Sequence, residues 1–174
     1  RGGICVEGVE LGRLNYFSDG MIRGEIHCNL SDEITNIEEY PPNAIIVLNE
    51  VINEIMNLKT SQRPHCRIVI GKIEGGANHG KIANEAALGF EIRSDSYKMV
   101  KKIYGQIRDV VEVIGYEKQV DLNLKTISNL RASRLKYNHP LVKNAAAILE
   151  KLGIKPFSKP TESSLSIFIS QRIP

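Results

Sequence analysis

Residues 70–94 read IGKIEGGANHGKIANEAALGFEIRS, which is two apolar stretches joined by a run rich in glycine. Apolar side chains alternate with polar ones around Lys72, and again from Leu88 to Ile92, which is typical of strands with one buried face. The glycines of the turn, residues 75–80, can adopt backbone angles closed to most residues and let another molecule approach the main chain closely. The stretch therefore predicts a β-hairpin that ends either in a plain long loop or in a binding turn.

The segments on either side of this hairpin predict one strand and one helix each. Residues 21–30 alternate as a strand, and Asn43 begins an amphipathic helix. After the hairpin, Ser94 or Asp95 begins a second helix, which Gly115 ends. A last strand follows at residues 119–127. The apolar side of the first helix consists of Ile45, Leu48, Val51, Ile52 and Ile55. The order β-α-β-β-α-β predicts an α+β, ferredoxin-like sandwich, a four-stranded antiparallel sheet with two helices on one face.

The two ends of the chain differ in character from this central part. They contain a short apolar strand and a helix that begins at Pro140, and neither end can bury a core by itself. We therefore expect residues 1–17 and 132–174 to belong to a neighbouring domain into which residues 18–131 are inserted. Because the chain begins without methionine and stops directly after an apolar run, we also expect it to be a fragment of a longer protein.

The composition is that of an ordinary folded protein. The 174 residues are 42% hydrophobic and 25% charged, and the formal net charge is only +3, with the basic residues scattered. This balance argues against a disordered segment and predicts no nucleic-acid partner. Three cysteines without any C-x-x-C spacing indicate reduced thiols and a cytoplasmic location. No apolar run reaches the roughly 18 to 20 residues of a membrane span, so we expect no membrane partner.

The glycine-rich hairpin also carries a resemblance to a known family. It contains, in order, isoleucine-x-glycine-glycine, isoleucine-alanine, an acidic residue and a strand that ends in isoleucine-arginine-serine at residues 92–94. This arrangement resembles the lid domain of a peptidase family. The family includes glutamate carboxypeptidase, acetylornithine deacetylase and succinyl-diaminopimelate desuccinylase, which are zinc-dependent exopeptidases and amidohydrolases. The resemblance implies that residues 18–131 are a lid and dimerisation domain and that the flanks belong to an α/β catalytic domain. It also implies a homodimer that hydrolyses a small peptide or an N-acyl amino acid.

The resemblance assigns roles to three residues outside the turn. Glu7 lies in ICVEG at residues 4–8, which is similar to the strand end where the family has a glutamate ligand of zinc. His27 matches the histidine that stabilises the oxyanion in the partner subunit's active site. Arg93 matches the arginine that binds a substrate carboxylate. The other zinc ligands of the family have no counterpart in this sequence, so we expect the chain to bind no zinc tightly and to be inactive alone.

The resemblance implies that Gly76, Asn78 and Gly80 of the turn contact the substrate. The sequence departs from the family here, because members often have an asparagine at the position of Gly80. It departs again near the C-terminus, where Arg172 replaces the glycine that most members have.

Two other functions fit the same fold. A ferredoxin-like regulatory module can bind a small molecule such as an amino acid between dimerised sheets, with the backbone N–H groups of the turn holding its carboxylate. An RNA-binding sandwich would need aromatic residues on its central strands, but this chain has no tryptophan and mostly isoleucine or leucine there. The zinc-dependent hydrolase is therefore the first hypothesis, and the regulatory module is the alternative.

Overall fold

The computed structural model describes residues 3–4, 6, 10–30, 42–60, 63–159 and 168. In chain order the elements of this part are β1 (Phe17–Ser18), β2 (Gly20–Asn29), α1 (Ala44–Asn57), β3 (Cys66–Gly75), β4 (Glu85–Ser94), α2 (Tyr97–Lys118), β5 (Asp121–Leu130), β6 (Ser133–Arg134) and α3 (Pro140–Lys151). None of the helices among these residues is long and apolar enough to cross a lipid bilayer.

Four of the strands form the sheet that the sequence predicts. The order is β3-β4-β2-β5, and every neighbouring pair is antiparallel. α1 leads from β2 to β3 and α2 leads from β4 to β5, so each helix connects a central strand to an edge strand. Both helices pack on the same face of the sheet. The predicted ferredoxin-like sandwich is confirmed.

The core lies between the sheet and these two helices. Every second side chain of β4 faces it, and those residues, Ala86, Leu88, Phe90 and Ile92, are buried as the alternation predicts. A fully buried aliphatic side chain such as Leu88 stabilises the fold by about 1.5–3 kcal/mol. Gly24 lies opposite Phe90 in the neighbouring strand, where a Cβ atom would come within 2.6 Å of the ring. The glycine therefore makes room for the aromatic ring in the core.

Both predicted ends of the second helix are wrong by a few residues. The helix begins at Tyr97, after Ser96. Ser94 does not cap it, because its hydroxyl donates a hydrogen bond of 2.6 Å to the backbone oxygen of His65. At the other end the helix continues past Gly115, whose backbone oxygen accepts hydrogen bonds from the two residues that follow the helix.

The apolar side of α1 is rotated slightly from the prediction. Ile45 is 38% exposed and Ile52 is only half-buried, whereas Val47, which the prediction omitted, is buried. α1 lies over the sheet with Ala44, Val47, Leu48, Val51 and Ile55 inward. Ile45 and Ile52 therefore lie on the flank of the helix and not under it.

The two flanks of the sandwich meet beside it. β1 and β6 form an antiparallel ribbon in which the hydroxyls of Ser18 and Ser133 lie 2.8 Å apart. Farther out, the backbone N–H of Leu14 donates to the oxygen of Phe157, and the N–H of Phe157 donates to the oxygen of Gly12. The predicted boundaries at residues 17/18 and 131/132 fall at this ribbon, and the division into domains stays a prediction.

Candidate functional site

The face of the sheet opposite the helices, here called the open face, is rich in charged side chains. They form rows across β3, β4, β2 and β5. From the end beside β1 to the end beside the glycine-rich turn, the rows are Arg67, Arg93, Met21, Leu130; Val69, Glu91, Arg23, Ser128; Lys72, Gly89, Glu25, Lys125; and Glu74, Ala87, His27, Asn123. We call the first of these rows the hinge end and the last one the turn end.

His27 lies at the turn end of the open face. Its side chain is 41% exposed, and its Nε2 atom lies 3.2 Å from a carboxylate oxygen of Glu25. A carboxylate beside an imidazole orients the ring, which suits a group that must donate a hydrogen bond in one direction. The sequence analysis did not single out Glu25, although residues two apart on a strand share a face.

The glycine-rich turn is anchored at one point and open at another. Gly76 and Gly80 have φ angles of 73° and 75°, the left-handed region that glycine favours. A Cβ atom on Gly76 would lie 3.3 Å from the side chain of Ile45, so the turn rests against the start of α1 there. No atom lies within 4 Å of the corresponding point at Gly80. Asn78 is exposed, and its backbone oxygen accepts a hydrogen bond from Lys81.

Arg93 lies at the hinge end, where it is already engaged with a carboxylate. Its Nε atom bonds one oxygen of Glu91, and the Nε atom of Arg23 donates to the other oxygen at 2.7 Å. The Glu91 side chain is only 14% exposed, so this ion pair is much less solvated than a surface pair. Glu91 and Arg23 are site residues that the sequence analysis missed. The sequence indicated that Glu91 and Arg93 share a face of their strand. It did not indicate the strand register that brings Arg23 to Glu91.

The structure divides the predicted site residues into two groups. His27 and the turn lie at one end, and Arg93 lies at the other. Ala87 pairs with His27, and Arg93 stands six residues farther along β4, a distance of about 20 Å at the usual rise of a strand. An extended dipeptide spans about 7 Å. The backbone positions of the two residues are therefore about three times farther apart than an extended dipeptide is long.

Asp19 lies at the hinge end of the open face and is the single residue between β1 and β2. Burial, and next the charge of Asp95, raise the pKa of the Asp19 carboxyl, while His65, Arg67 and Arg93 act in the opposite direction. A cavity of about 260 Å³ lies beside it between the ribbon and the sheet. The carboxylate form of Asp19 is thus disfavoured at the point where the sandwich joins its flanks.

No metal site can be built from the residues that the structure describes. Among them, no group of three or more His, Cys, Asp or Glu side chains could hold a metal ion. Glu7, the predicted zinc ligand, lies outside the described residues. Burial, with the charge of Asp121 as a second cause, raises the pKa of the Cys28 thiol to about 11. Burial and the charge of Asp95 also raise the pKa of Cys66. Both thiols are therefore protonated at neutral pH.

The fold is shared with solved structures of bacterial hydrolases. Aminopeptidase PepT from Bacillus cereus is 14% identical with a TM-score of 0.75, over 97% of this chain and 45% of its own. A tripeptidase from Staphylococcus aureus is 21% identical with a TM-score of 0.74, over 97% and 45%. YxeP from Bacillus subtilis, described as a dinuclear metal-binding peptidase of the M20 family, is 16% identical with a TM-score of 0.62, over 96% and 41%. At these identities the likeness concerns the fold, and the chain spans less than half of each protein.

Sequence comparison gives the family. No curated protein sequence matches the chain significantly. The profile of the family described as peptidase dimerisation domain matches residues 33–119, which is half of the chain. The matched segment ends at Gln119, directly after α2, and includes both helices of the sandwich and two of its four strands, β3 and β4. The chain therefore belongs to the peptidase dimerisation domain family of the M20 peptidases.

Proposed function

We propose that this chain is the lid and dimerisation domain, with adjoining catalytic-domain segments, of a zinc-dependent exopeptidase or amidohydrolase. The substrate would be a small peptide or an N-acyl amino acid. The family match over residues 33–119 carries the proposal. It is supported by the ribbon of β1 and β6, which brings the two ends of the sandwich side by side as an inserted domain requires. The buried free thiols of Cys28 and Cys66 favour a reducing, cytoplasmic location.

The metal of such an enzyme would be held outside the described residues. Within the described ranges, no group of three or more His, Cys, Asp or Glu side chains forms a metal site. The name of the Bacillus subtilis relative, a dinuclear metal-binding peptidase, supports a metal in the complete protein. Glu7 as one of its ligands remains a proposal that rests on the sequence resemblance.

The described residues would bind and orient the substrate. His27, held beside Glu25, would donate a hydrogen bond to the oxygen that becomes negative when the scissile carbonyl is attacked. Arg93, oriented by Glu91, would bind a substrate carboxylate through its planar guanidinium. Gly76, Asn78 and Gly80 would bring the backbone of the turn close to the same substrate.

The 20 Å separation leads us to propose that these residues act from two subunits. An active site would take the hinge end, with Arg93, from its own lid, and the turn end, with His27, from the lid of the partner. A homodimer has two such sites, related by the two-fold axis. The dimer is then required for catalysis and does more than add stability.

The dimer would form at the edge of the sheet made by β3. Exposed apolar side chains are concentrated on this side of the sandwich: Ile45 and Met56 of α1, Val69 and Ile73 of β3, and Ile82 of the turn, between 38% and 61% exposed. The opposite edge strand, β5, has only Ile127, at 50% exposure, among the strongly exposed large apolar residues described. An open edge with an apolar flank favours pairing with a second copy.

Light scattering tests the interface. At about 0.5 M salt, which screens exposed charges, Ile73→Lys places a charge in the apolar flank and should turn the dimer into a monomer at micromolar concentration. Ile127→Lys on β5 changes a residue of similar exposure and should leave the dimer intact. A dimer that persists in Ile73→Lys, or one that Ile127→Lys dissociates, would show that another surface is used.

Kinetics of the complete protein test the catalytic proposal. His27→Ala should lower kcat by about 100- to 1,000-fold, the usual loss for an oxyanion donor. Arg93→Ala should raise KM more than it lowers kcat. Asn123→Ala and Arg67→Ala are matched controls, since each is the neighbour in the same row. Wild-type kinetics for both His27→Ala and Arg93→Ala would refute these roles. Binding of free amino acids without hydrolysis of any peptide or N-acyl amino acid would favour the regulatory module instead.

A further inference from the structure

α2 has a stripe of solvent-facing residues on the side away from the core. Its members alternate at spacings of four and three positions, so they lie in one line along the helix. We call Lys98, Lys102, Gly105, Asp109, Glu112 and Tyr116 the outer stripe. The residues of α2 that face the core, Val100, Ile103, Ile107, Val111 and Ile114, lie on the opposite side.

The outer stripe is complementary to itself. Its residues are placed symmetrically about position 107, so that a reversed copy sets Lys102 against Glu112. The same reversal sets Lys98 against Tyr116, a cation over an aromatic ring. Spacings of four and three are those at which two helices contact along a seam. From this symmetry we propose that α2 pairs antiparallel with α2 of a second copy of this chain, across a two-fold axis near position 107.

The charges of α2 are arranged against its own dipole. Lys98, Lys101 and Lys102 lie in the N-terminal half, and the first turn has no acidic residue. The C-terminal half carries the acids Asp109, Glu112 and Glu117 against the bases Arg108 and Lys118, so it is acidic by one charge. A helix by itself is stabilised by the reverse arrangement. An antiparallel second copy places the basic half of each helix beside the acidic half of the other and removes the conflict.

Some charges of α2 already have partners within the chain. Glu112 lies 3.7 Å from Arg108, in an exposed pair one turn apart. Lys118 contacts Glu50 of α1 at 2.9 Å. Lys102, by contrast, is exposed and lies within 4 Å of no carboxylate among the described residues, so the chain itself gives no reason for its place in the stripe.

Two further features of the stripe favour a second helix at this surface. Gly105 lies in the middle of α2, where glycine destabilises a helix, and no atom lies within 4 Å of the point where its Cβ would be. A glycine allows the closest approach of another backbone at the centre of the crossing. Tyr116, at the end of the stripe, is 87% exposed, and Val113 beside it is 53% exposed.

The groove between α1 and α2 completes the surface. It measures about 560 Å³ and is lined by Glu50, Glu54, Asp109 and Glu117 around the apolar side chains of Val110, Val113 and Ile114. Asp109 belongs both to the lining of this groove and to the outer stripe, so the groove borders the proposed contact.

This surface is separate from the β3 edge. The α2 groove uses the side of α1 that carries Glu50 and Glu54, whereas the proposed β3 interface uses Ile45 and Met56 on the opposite side of α1. The two contacts can therefore form together. A chain that uses both forms assemblies larger than a dimer, and the α2 contact, being polar, is the weaker and the more sensitive to salt.

Charge reversal tests the proposal by light scattering and sedimentation of the chain at about 20 mM salt, where exposed charges are weakly screened. Lys102→Glu and Glu112→Lys should each weaken association by about tenfold or more, because each puts like charges together at two symmetric positions. The double variant Lys102→Glu/Glu112→Lys should restore it. Lys143→Glu on α3 makes the same charge change away from α2 and should have no effect.

Folding and the β3 edge are controlled separately. Lys102→Glu should leave the melting temperature of the dissociated chain unchanged or higher, because an acidic residue suits the N-terminal half of a helix. Ile73→Lys, which blocks the β3 edge, should still associate through α2, and about 0.5 M salt should dissociate that species. The α2 pairing is wrong if neither Lys102→Glu nor salt changes the mass of the assembly. It is also wrong if the double variant fails to recover association. Both outcomes hold whatever the result at the β3 edge.

Discussion

A mixture of two impaired variants, assayed at a substrate concentration well below KM, tests whether the two ends of the open face act from different subunits. In the complete protein, His27→Ala removes the turn-end donor and Arg93→Ala removes the hinge-end anchor. The structure places their backbone positions six strand residues apart, about 20 Å, which favours contact of one substrate with the two residues from different subunits. If each site takes its turn end from the partner, a mixed dimer has one site with both residues intact and one with neither.

The expected activity follows from counting. Equal amounts of the two variants give about half mixed dimers, each with one working site of two, so the mixture should regain about one quarter of wild-type activity. That is far above the remaining activity of about 1% or less that is expected for His27→Ala alone. The assay is the initial rate of peptide or N-acyl amino acid hydrolysis after the variants are co-expressed with different tags, and the purified mixed dimer should show about half of the wild-type rate.

The control uses two variants at the same end. A mixture of His27→Ala with Asn78→Ala should regain nothing beyond the rate of Asn78→Ala itself, because every site then lacks one residue of the turn end. Failure of His27→Ala and Arg93→Ala to complement, when the mixed dimer has been isolated, would refute the division between subunits. The individual roles of His27 and Arg93 would still be judged by the single variants.

Three further predictions concern the chain alone. Calorimetric titration with Zn²⁺ at neutral pH should show binding weaker than about 1 µM, since a zinc site needs at least three ligands; tighter stoichiometric binding would reveal a site outside the described residues. Asp19→Asn should raise the melting temperature at pH 7, because the raised pKa means that the carboxylate opposes folding. The gain should disappear when the pH falls below about 4, where the wild-type side chain is neutral in both states. Asp121→Asn on exposed β5 is the control, and a lower melting temperature for Asp19→Asn at pH 7 would contradict the sign. Cys28 and Cys66 should resist alkylation at pH 8 in the native chain and react in denaturant, as mapped by mass spectrometry, because burial raises the pKa of both thiols. At a pKa of about 11, Cys28 is about 0.1% thiolate at that pH; rapid native labelling would contradict their burial.

Local pattern was enough to predict the sandwich but not the ends of its helices. The alternation in β2 and β4 and the apolar stripes of α1 and α2 each need only a few neighbouring residues, and they gave the correct order of elements. The end of α2 depends on more. Gly115 was expected to stop the helix, but its oxygen accepts hydrogen bonds from Gln119 and Val120. Gln119 takes the left-handed conformation, with φ of 53°. The motif closes one turn beyond the glycine.

The site residues were found only as single positions, because their contacts depend on register. Ser94 was expected at a helix start, yet it is 1% exposed and its hydroxyl donates to the backbone oxygen of His65, directly before the neighbouring strand β3. Arg93 was expected to face an incoming carboxylate, and the structure adds Glu91 and Arg23 to it. Arg23 pairs with Glu91 across two strands, and a shift of one residue would place it on the other face. Sequence spacing alone does not contain that register.

The distance between the two ends of the open face is set by the most regular part of the sheet. β2 and β4 pair from Gly20 and Ser94 to Asn29 and Glu85 without any shift in register. Both edge pairs contain a shift, between Ile70 and Lys72 on β3 and beside Gly24 on the β5 side. A bulge bends and twists an edge strand without lengthening its central neighbour. The position of a partner docked at β3 therefore depends on how far the edge strand bends at its bulge. The separation of His27 from Arg93 within one chain does not depend on that bend. The proposed action of two subunits at one site thus rests on the register of the central pair of strands.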